Sequence, residues 1–206
     1  DKGETAPFSA FDASIYLNRH VWDSIGTVIS SARAVMDFIK GIGKAYADKQ
    51  VPMEWVTPTN FLVIQDYPDL ESRRIKTIID GNIIRLSYRE PIDGTVCRGK
   101  TISGSSPNFI HSLDASALTR TVNRCLDQGI HNFAMVHDSY GTHCSNVPLM
   151  QQILREEFVE MYENNDVLAD LKDHAITTLG HDELPELPKR GALDLKQVLK
   201  SDYFFA

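Results

Sequence analysis

The stretch that decides the fold is residues 133–144, FAMVHDSYGTHC, in which an apolar run leads into His137, Asp138 and Ser139. Short apolar arms around a polar turn predict a β-hairpin with Asp138 at its tip. A carboxylate held there projects out of the sheet, where it can bind a divalent metal without competing with backbone pairing. Phosphoryl transfer often uses two metals about 3.5–4 Å apart, which requires a second carboxylate. Taken alone, the stretch is also consistent with an ordinary aspartate in a turn.

The flanking sequence shows helical and strand-like patterns. Hydrophobic spacing predicts a long helix over residues 9–49, interrupted at Gly41 and Gly43. Residues 55–68 predict a strand–turn–strand unit, and residues 93–107, which are rich in Gly and Ser, predict a loop. Further helices are expected at 112–128, 148–164 and 167–179, with a short helical turn near 194–200.

A second hairpin signal lies in residues 72–90, SRRIKTIIDGNIIRLSYRE, where two β-rich arms flank Asp80–Gly81. The net charge of the whole chain is −7, which argues against a protein that coats nucleic acid nonspecifically. Residues 71–100, however, carry seven Lys and Arg side chains against four acidic ones, a net charge of +3. This segment is the expected contact with a phosphate backbone. No apolar run is long enough to predict a membrane span.

Several stretches in order along the chain resemble the carboxy-terminal half of the catalytic core of single-subunit, phage- or mitochondrial-type DNA-dependent RNA polymerases. Residues 108–118, NFIHSLDASAL, followed by a helix and the 133–144 stretch, are similar to the run into the third palm motif of that family. The similarity continues in four more stretches: FDASIYLNRHVWDSI (11–25), EWVTPTNF (54–61), LREEFVEMYENNDVLADL (154–171) and LPKRGALDLKQVLKSDYFFA (187–206). Family-A DNA polymerases carry a glutamate directly after the aspartate, so Ser139 favours the RNA polymerases.

The resemblance implies an α+β fold: a partial right-hand polymerase palm with a small antiparallel sheet, packed helices and a projecting β-hairpin. It divides the chain into a helical segment and palm/fingers edge (1–70), a basic specificity hairpin (71–100), the palm with the third motif (101–183) and a C-terminal foot (184–206). The foot ends in Phe204, Phe205 and Ala206, which the resemblance places folded back under the active site.

The resemblance also implies roles for individual residues. Asp138 would be a ligand of the two-metal Mg²⁺ site, with His137 beside it shaping the site or touching the RNA 3′ end. His111 would lie against the template–product duplex. The 71–100 hairpin would enter the major groove of a promoter, with Arg74, Lys76 and Arg85 as DNA contacts; the alternative is a basic hairpin that touches only phosphates.

The resemblance also implies that the first metal-binding aspartate and the fingers helix of the family lie upstream of this chain. Asp66, Asp114 and Asp127 lie in contexts unsuitable for replacing that aspartate. The expected partners are a DNA template or promoter, RNA, ribonucleoside triphosphates and another polypeptide carrying the rest of the polymerase. The chain is then a fragment, a subunit of a split polymerase or an inactive remnant. A family-A DNA polymerase piece and a non-catalytic nucleic-acid-binding or assembly subunit remain as alternatives. A phage or prophage protein in bacterial cytoplasm is expected ahead of a mitochondrial one.

Overall fold

The computed structural model describes residues 9–180 and 184–204. Five α-helices and three antiparallel strand pairs follow one another along this part of the chain, so the expected α+β class is confirmed. The helices are α1 Ala10–Val28, α2 Ser30–Asp48, α3 Arg98–Asp127, α4 Val147–Asn164 and α5 Val167–Leu179; the strands are β1 Met53–Val56, β2 Leu62–Gln65, β3 Leu70–Ile79, β4 Asn82–Pro91, β5 Ala134–Val136 and β6 Ser139–Gly141. Short 3-10 helices occupy Cys144–Asn146 and Leu195–Lys200.

The amino-terminal helical region breaks at a different residue from the one the glycines predict. Ile29, at φ −113° and ψ 57°, separates α1 from α2, and α2 continues without interruption through Gly41 and Gly43. The prediction of a break at these glycines was wrong because Gly43 serves a helix contact. A Cβ atom at this position would lie only 3.0 Å from the Ser105 Cβ atom of α3, so the missing side chain lets α2 and α3 approach closely.

The predicted loop over residues 93–107 was also wrong from Arg98 onward, because α3 begins there and includes Pro107. Proline removes one helical hydrogen bond and glycine weakens a helix, so local propensity disfavours this segment as a helix. Small buried side chains, among them Thr101 and Ser105, instead allow α3 to pack along α2. Tertiary packing therefore overrides the local preference of this segment for a loop. As a consequence, Arg98 lies on α3 and not on the basic hairpin.

The larger hydrophobic core lies between α2, α3, α5 and β1. Trp55 of β1 is buried and contacts Phe109 of α3 edge to face, with 5.8 Å between ring centroids. The indole Nε1 of Trp55 donates a hydrogen bond of 2.9 Å to the Ser112 hydroxyl. This contact fixes the rotation of α3 relative to β1. It thereby also sets the direction of His111, which directly precedes Ser112 on α3.

The strands form three separate two-stranded sheets. In the β3–β4 hairpin, Asp80 and Gly81 have φ values of +51° and +76°, which confirms the tight turn that their sequence predicts. The β5–β6 hairpin is short, and its inner side packs on a second hydrophobic cluster formed by buried Cys125, Ile130, Met150 and Ile153.

Among the described residues, no helix has the length and apolar character needed to cross a membrane.

The carboxy-terminal segment lies against α4. The Phe204 ring contacts Phe158 of α4 edge to face, with 4.9 Å between centroids, while Tyr203 is exposed. Phe205 and Ala206, the other two residues predicted for the foot, lie outside the described residues.

Candidate functional site

The β5–β6 hairpin presents His137 and Asp138 as its two turn residues, since Val136 pairs with Ser139. Both turn side chains are exposed. His137 has a φ of +53°, an uncommon backbone conformation for a residue with a side chain. A substituent on Gly141 would meet the Ala134 carbonyl oxygen at 2.9 Å, so glycine is needed for the two short strands to pair. The sequence prediction of a tight hairpin with Asp138 at its tip is confirmed.

An open cleft of about 590 Å³ separates this hairpin from α3. His137 and Asp138 line one side of the cleft, and His111 and Asp114 line the other, with Ala115, Leu118 and Thr119 completing the wall. His111 and Asp114 share a helix face because residues three apart on a helix are neighbours. The structure therefore brings together Asp138, His137 and His111, three residues singled out from the sequence.

The sequence analysis set Asp114 aside as lying in an unsuitable context, yet Asp114 lines the same cleft as Asp138. Its position three residues after His111 is the signal that could have found it, because a histidine facing the cleft places Asp114 there too. Asp66 and Asp127 do not line this cleft. The candidate site therefore holds two carboxylates, one on α3 and one on the hairpin.

The charges of Asp114 and Asp138 affect the same neighbouring tyrosine. Burial is the main cause that raises the pKa of the Tyr140 phenol, and the charges of Asp114 and then Asp138 raise it further. Burial and then Asp114 also raise the pKa of the Tyr162 phenol. Both phenols therefore stay protonated at neutral pH.

The donor chemistry of the cleft suits a hard divalent cation. Mg²⁺ prefers oxygen ligands, keeps several water ligands and is commonly held by one or two carboxylates together with substrate phosphates. Asp138 and Asp114 supply such oxygens. Within residues 9–180 and 184–204, no group of three or more His, Cys, Asp or Glu side chains could hold a metal ion. A metal at this cleft would therefore need substrate, water or another polypeptide to complete its coordination.

An ion pair between a partly buried arginine and a buried glutamate links α3 to α4. The Arg120 guanidinium of α3 lies 2.9 Å from the Glu157 carboxylate of α4, and Arg124 lies 3.8 Å from the same carboxylate. Glu157 has 7% of its side chain exposed, whereas Glu160, 3.6 Å from Arg120, has 48% exposed. The pair fixes the relative position of the two helices that pack around the second hydrophobic cluster.

The β3–β4 hairpin has one basic face. Side chains alternate between the faces of a strand, and residues paired across two strands share a face. Arg74 pairs with Ser87, Lys76 with Arg85, and Ser72 with Arg89. The three predicted DNA contacts therefore lie on the same face, together with Arg89, and all of them are exposed.

The opposite face of this hairpin is largely apolar at its centre. Near its base, this face carries an arginine that forms ion pairs with two glutamates. Ile75 pairs with Leu86, and both are about half exposed, at 49% and 51%. Arg73 lies on this face and contacts the carboxylates of Glu71 and Glu90 at 2.7 Å and 2.6 Å. Arg73 is thus paired within the hairpin, unlike the cations of the basic face, for which no ion pair occurs among the described residues.

Sequence comparison identifies the family. The profile of DNA-dependent RNA polymerases matches residues 2–184. The chain belongs to the DNA-dependent RNA polymerase family. This membership confirms the resemblance to the phage and mitochondrial type of polymerase and favours it over the family-A DNA polymerases.

Three relatives illustrate the match. The chain is 37% identical over 195 residues to DNA-directed RNA polymerase 1, mitochondrial, of Nicotiana sylvestris, covering 95% of this chain and 19% of the relative. It is 32% identical over 224 aligned residues to the DNA-directed RNA polymerase of Enterobacteria phage K11, covering 100% of this chain and 25% of the relative. It is 37% identical over 195 residues to DNA-directed RNA polymerase 2A of Nicotiana tabacum, covering 95% of this chain and 57% of the relative.

The chain therefore spans between about a fifth and just over half of the length of these relatives. A phage protein and a mitochondrial protein are among them. The expectation of a phage origin ahead of a mitochondrial one stays a prediction.

Proposed function

We propose that this chain supplies one metal-binding carboxylate and the DNA-reading hairpin of a DNA-directed RNA polymerase. The observation that carries the proposal is the placement of Asp138 at the tip of a braced hairpin, facing a cleft that also contains Asp114 and His111. The complete enzyme would transfer a ribonucleoside monophosphate to an RNA 3′-hydroxyl on a DNA template and release pyrophosphate. The remaining catalytic groups would come from polypeptide outside the matched region.

Each residue of the cleft has a proposed task in this reaction. Bound Mg²⁺ would lower the pKa of the attacking hydroxyl and stabilise the leaving group. Asp138 holds a metal through its carboxylate, and His137 beside it borders the position of the RNA 3′ end. His111, across the cleft on α3, contacts the template–product duplex. Asp114 adds negative charge to the same cleft and strengthens its attraction for divalent cations.

The other parts of the chain would serve recognition and support. Arg74, Lys76 and Arg85 on the basic face contact DNA at a promoter. Phe204, packed on Phe158 of α4, supports the helix beneath the β5–β6 hairpin. The proposed domain division keeps the boundaries 1–70, 71–100, 101–183 and 184–206, although Arg98 and Lys100 lie on α3.

A metal-localisation experiment on the chain itself tests the role of Asp138. Mn²⁺ at a small fraction of the protein concentration should broaden backbone amide resonances around residues 137–139 and 111–114 of the ¹⁵N-labelled chain. Asp138→Asn should remove this broadening, because a neutral amide binds a hard cation far less well than a carboxylate. Asp127→Asn, at the far end of α3 and outside the cleft, should leave it unchanged. Broadening that persists in Asp138→Asn would refute the metal role.

An activity measurement then distinguishes the proposed catalytic function from that of a non-catalytic subunit. With the polypeptide that carries the rest of the polymerase present, Asp138→Asn should lower ribonucleotide incorporation by at least about 100-fold, a loss typical of removing one electrostatic group from a transition state. Binding of template DNA should be retained. The alternative function is that of a non-catalytic nucleic-acid-binding or assembly subunit. Unchanged incorporation in Asp138→Asn would support that alternative.

A further inference from the structure

An exposed isoleucine pair stands at the tip of the basic hairpin. Ile78 of β3 pairs with Ile83 of β4, one pair away from the Asp80–Gly81 turn. Each side chain has 70% of its surface exposed, more than Ile75 or Leu86 in the same hairpin. Apolar surface this exposed gains free energy when another molecule covers it, at about 25 cal/mol per Å².

The isoleucine pair shares a face with the basic side chains. Positions 74, 76 and 78 of β3 alternate with positions that point to the other face, and so do positions 83, 85 and 87 of β4. Ile78 and Ile83 therefore follow the Lys76–Arg85 pair directly along the basic face. A surface that binds Lys76 and Arg85 must also meet the isoleucines.

The positive charge of this face decides which kind of surface covers the pair. Arg74, Lys76, Arg85 and Arg89 make the face complementary to a polyanion, and an apolar protein surface would leave these cations without partners. A two-stranded β-ribbon fits the major groove of B-DNA, about 12 Å wide. The apolar group that the major groove presents is the 5-methyl group of thymine.

We propose that Ile78 and Ile83 are specificity-determining residues that contact thymine 5-methyl groups in the major groove, while Arg85 contacts a neighbouring guanine and Lys76 contacts a base or phosphate beside it. This inference rests on the proposed DNA-reading function of the hairpin. Two residues along a strand span roughly 7 Å, which matches about two base-pair steps of 3.4 Å. The thymine should lie about two base pairs from the guanine contacted by Arg85.

The experiment uses the 206-residue chain and synthetic duplexes. A preferred duplex is first selected from a randomised pool, and each thymine in it is then replaced by uracil, which removes only the methyl group. Fluorescence anisotropy at fixed salt gives Kd for each duplex. One or two replacements should weaken binding about fourfold each, the value of one buried methyl group. Each guanine is also replaced by 7-deazaguanine, which lacks the N7 acceptor. A guanine whose replacement weakens binding of the chain but not of Arg85→Ala is the one contacted by Arg85.

Two double variants separate recognition from hairpin stability. Ile78→Ala with Ile83→Ala should bind the thymine and uracil duplexes equally. Ile75→Ala with Leu86→Ala removes the same kind of cross-strand pair from the opposite face and should preserve the fourfold difference. The conservative change of Ile78 and Ile83 to Val should retain most of the difference, because a branched apolar surface remains.

The outcomes distinguish this inference from the proposed function. If the thymine–uracil difference persists in the Ile78 and Ile83 alanine variant, or if no thymine replacement weakens binding, the isoleucine proposal is overturned while base reading by the arginines stands. If the sensitive thymine lies far from the guanine contacted by Arg85, the proposed register is wrong and the inference fails. If the chain selects no sequence at all, the DNA-reading function fails and this inference fails with it.

Discussion

Replacement of Arg85 by alanine tests whether the basic face of the β3–β4 hairpin reads DNA bases or only binds phosphates. Arg85 pairs with Lys76 and lies on the face that also carries Arg74 and Arg89. Arg73 lies on the opposite face and already contacts Glu71 and Glu90. Arg73→Ala is therefore a matched control: it removes one arginine from the same hairpin without removing a cation from the basic face.

The expected magnitudes follow from the number of cations on this face. If all four contacted phosphates, log K would fall with log salt concentration with a slope of about −3.6. A pure phosphate contact at Arg85 would change that slope to about −2.7 in Arg85→Ala and would weaken all sequences alike. A bidentate contact with guanine is worth about 1–3 kcal/mol, so the loss would be roughly 5- to 150-fold on the preferred duplex and small on a random duplex.

We expect the second pattern, measured by anisotropy titrations of the selected and random duplexes at several salt concentrations. Arg73→Ala should leave both affinities within about twofold, because the Arg73 charge is neutralised in the free protein. Equal losses on both duplexes in Arg85→Ala would reduce Arg85 to a phosphate contact. Equal losses in Arg73→Ala and Arg85→Ala would refute the assignment of distinct faces to the hairpin.

Two further predictions concern the packing that holds the cleft. Glu157→Gln should lower the free energy of unfolding by about 2 kcal/mol, because it removes the charge of a buried carboxylate that pairs with Arg120, whereas the exposed Glu160→Gln should cost less than about 1 kcal/mol. Similar midpoint shifts for both variants in urea titrations would contradict the burial argument. Gly43→Val should destabilise by about 1–3 kcal/mol in the same assay, because its side chain would collide with α3. Gly99→Val, on a helical glycine with open space, should change stability by less than about 1 kcal/mol, and an equal loss at both positions would argue against the α2–α3 contact.

The two hairpins could be predicted from sequence because their signals are local. Asp80 and Gly81 adopt the positive φ values that their residue types tolerate, and the apolar arms around them have no competing helical pattern. The His137–Asp138 turn follows from the same kind of signal, a polar pair between short apolar runs. In each case the residues that form the structure are adjacent in the chain.

The first third of α3 could not be predicted because its helix depends on distant residues. Gly99, Gly104 and Pro107 disfavour a helix locally, and contacts with α2, β2 and Tyr67 compensate. The same limit explains the misplaced break in the amino-terminal helix. Gly43 resembles a helix breaker in sequence, yet in the fold it provides space for Ser105.

The candidate site shows the same division between local and tertiary information. Asp138 stands out because its turn is readable from adjacent residues, whereas Asp114 sits inside a helix of mixed polarity and is marked only by its spacing from His111. Only the position of α3 across from the hairpin, fixed by contacts such as Trp55 with Ser112, brings Asp114 into the cleft. Pairs of functional residues on different elements are therefore harder to find than single residues in turns.

The β5–β6 hairpin packs on the body of the fold, whereas the β3–β4 hairpin is held at its base, and this difference suits their proposed tasks. The β5–β6 hairpin has three residues in each strand and packs on a hydrophobic cluster between α3 and α4, so Asp138 is held by a rigid base. The β3–β4 hairpin is ten residues long in each strand and mostly exposed on both faces. Its base is fixed by backbone hydrogen bonds, from Ile92 to Asp69 at 2.9 Å and from Cys97 to Tyr67 at 2.7 Å. Metal catalysis requires ligands placed to within about 0.5 Å, whereas a long ribbon anchored at its base can adjust to the groove of a duplex.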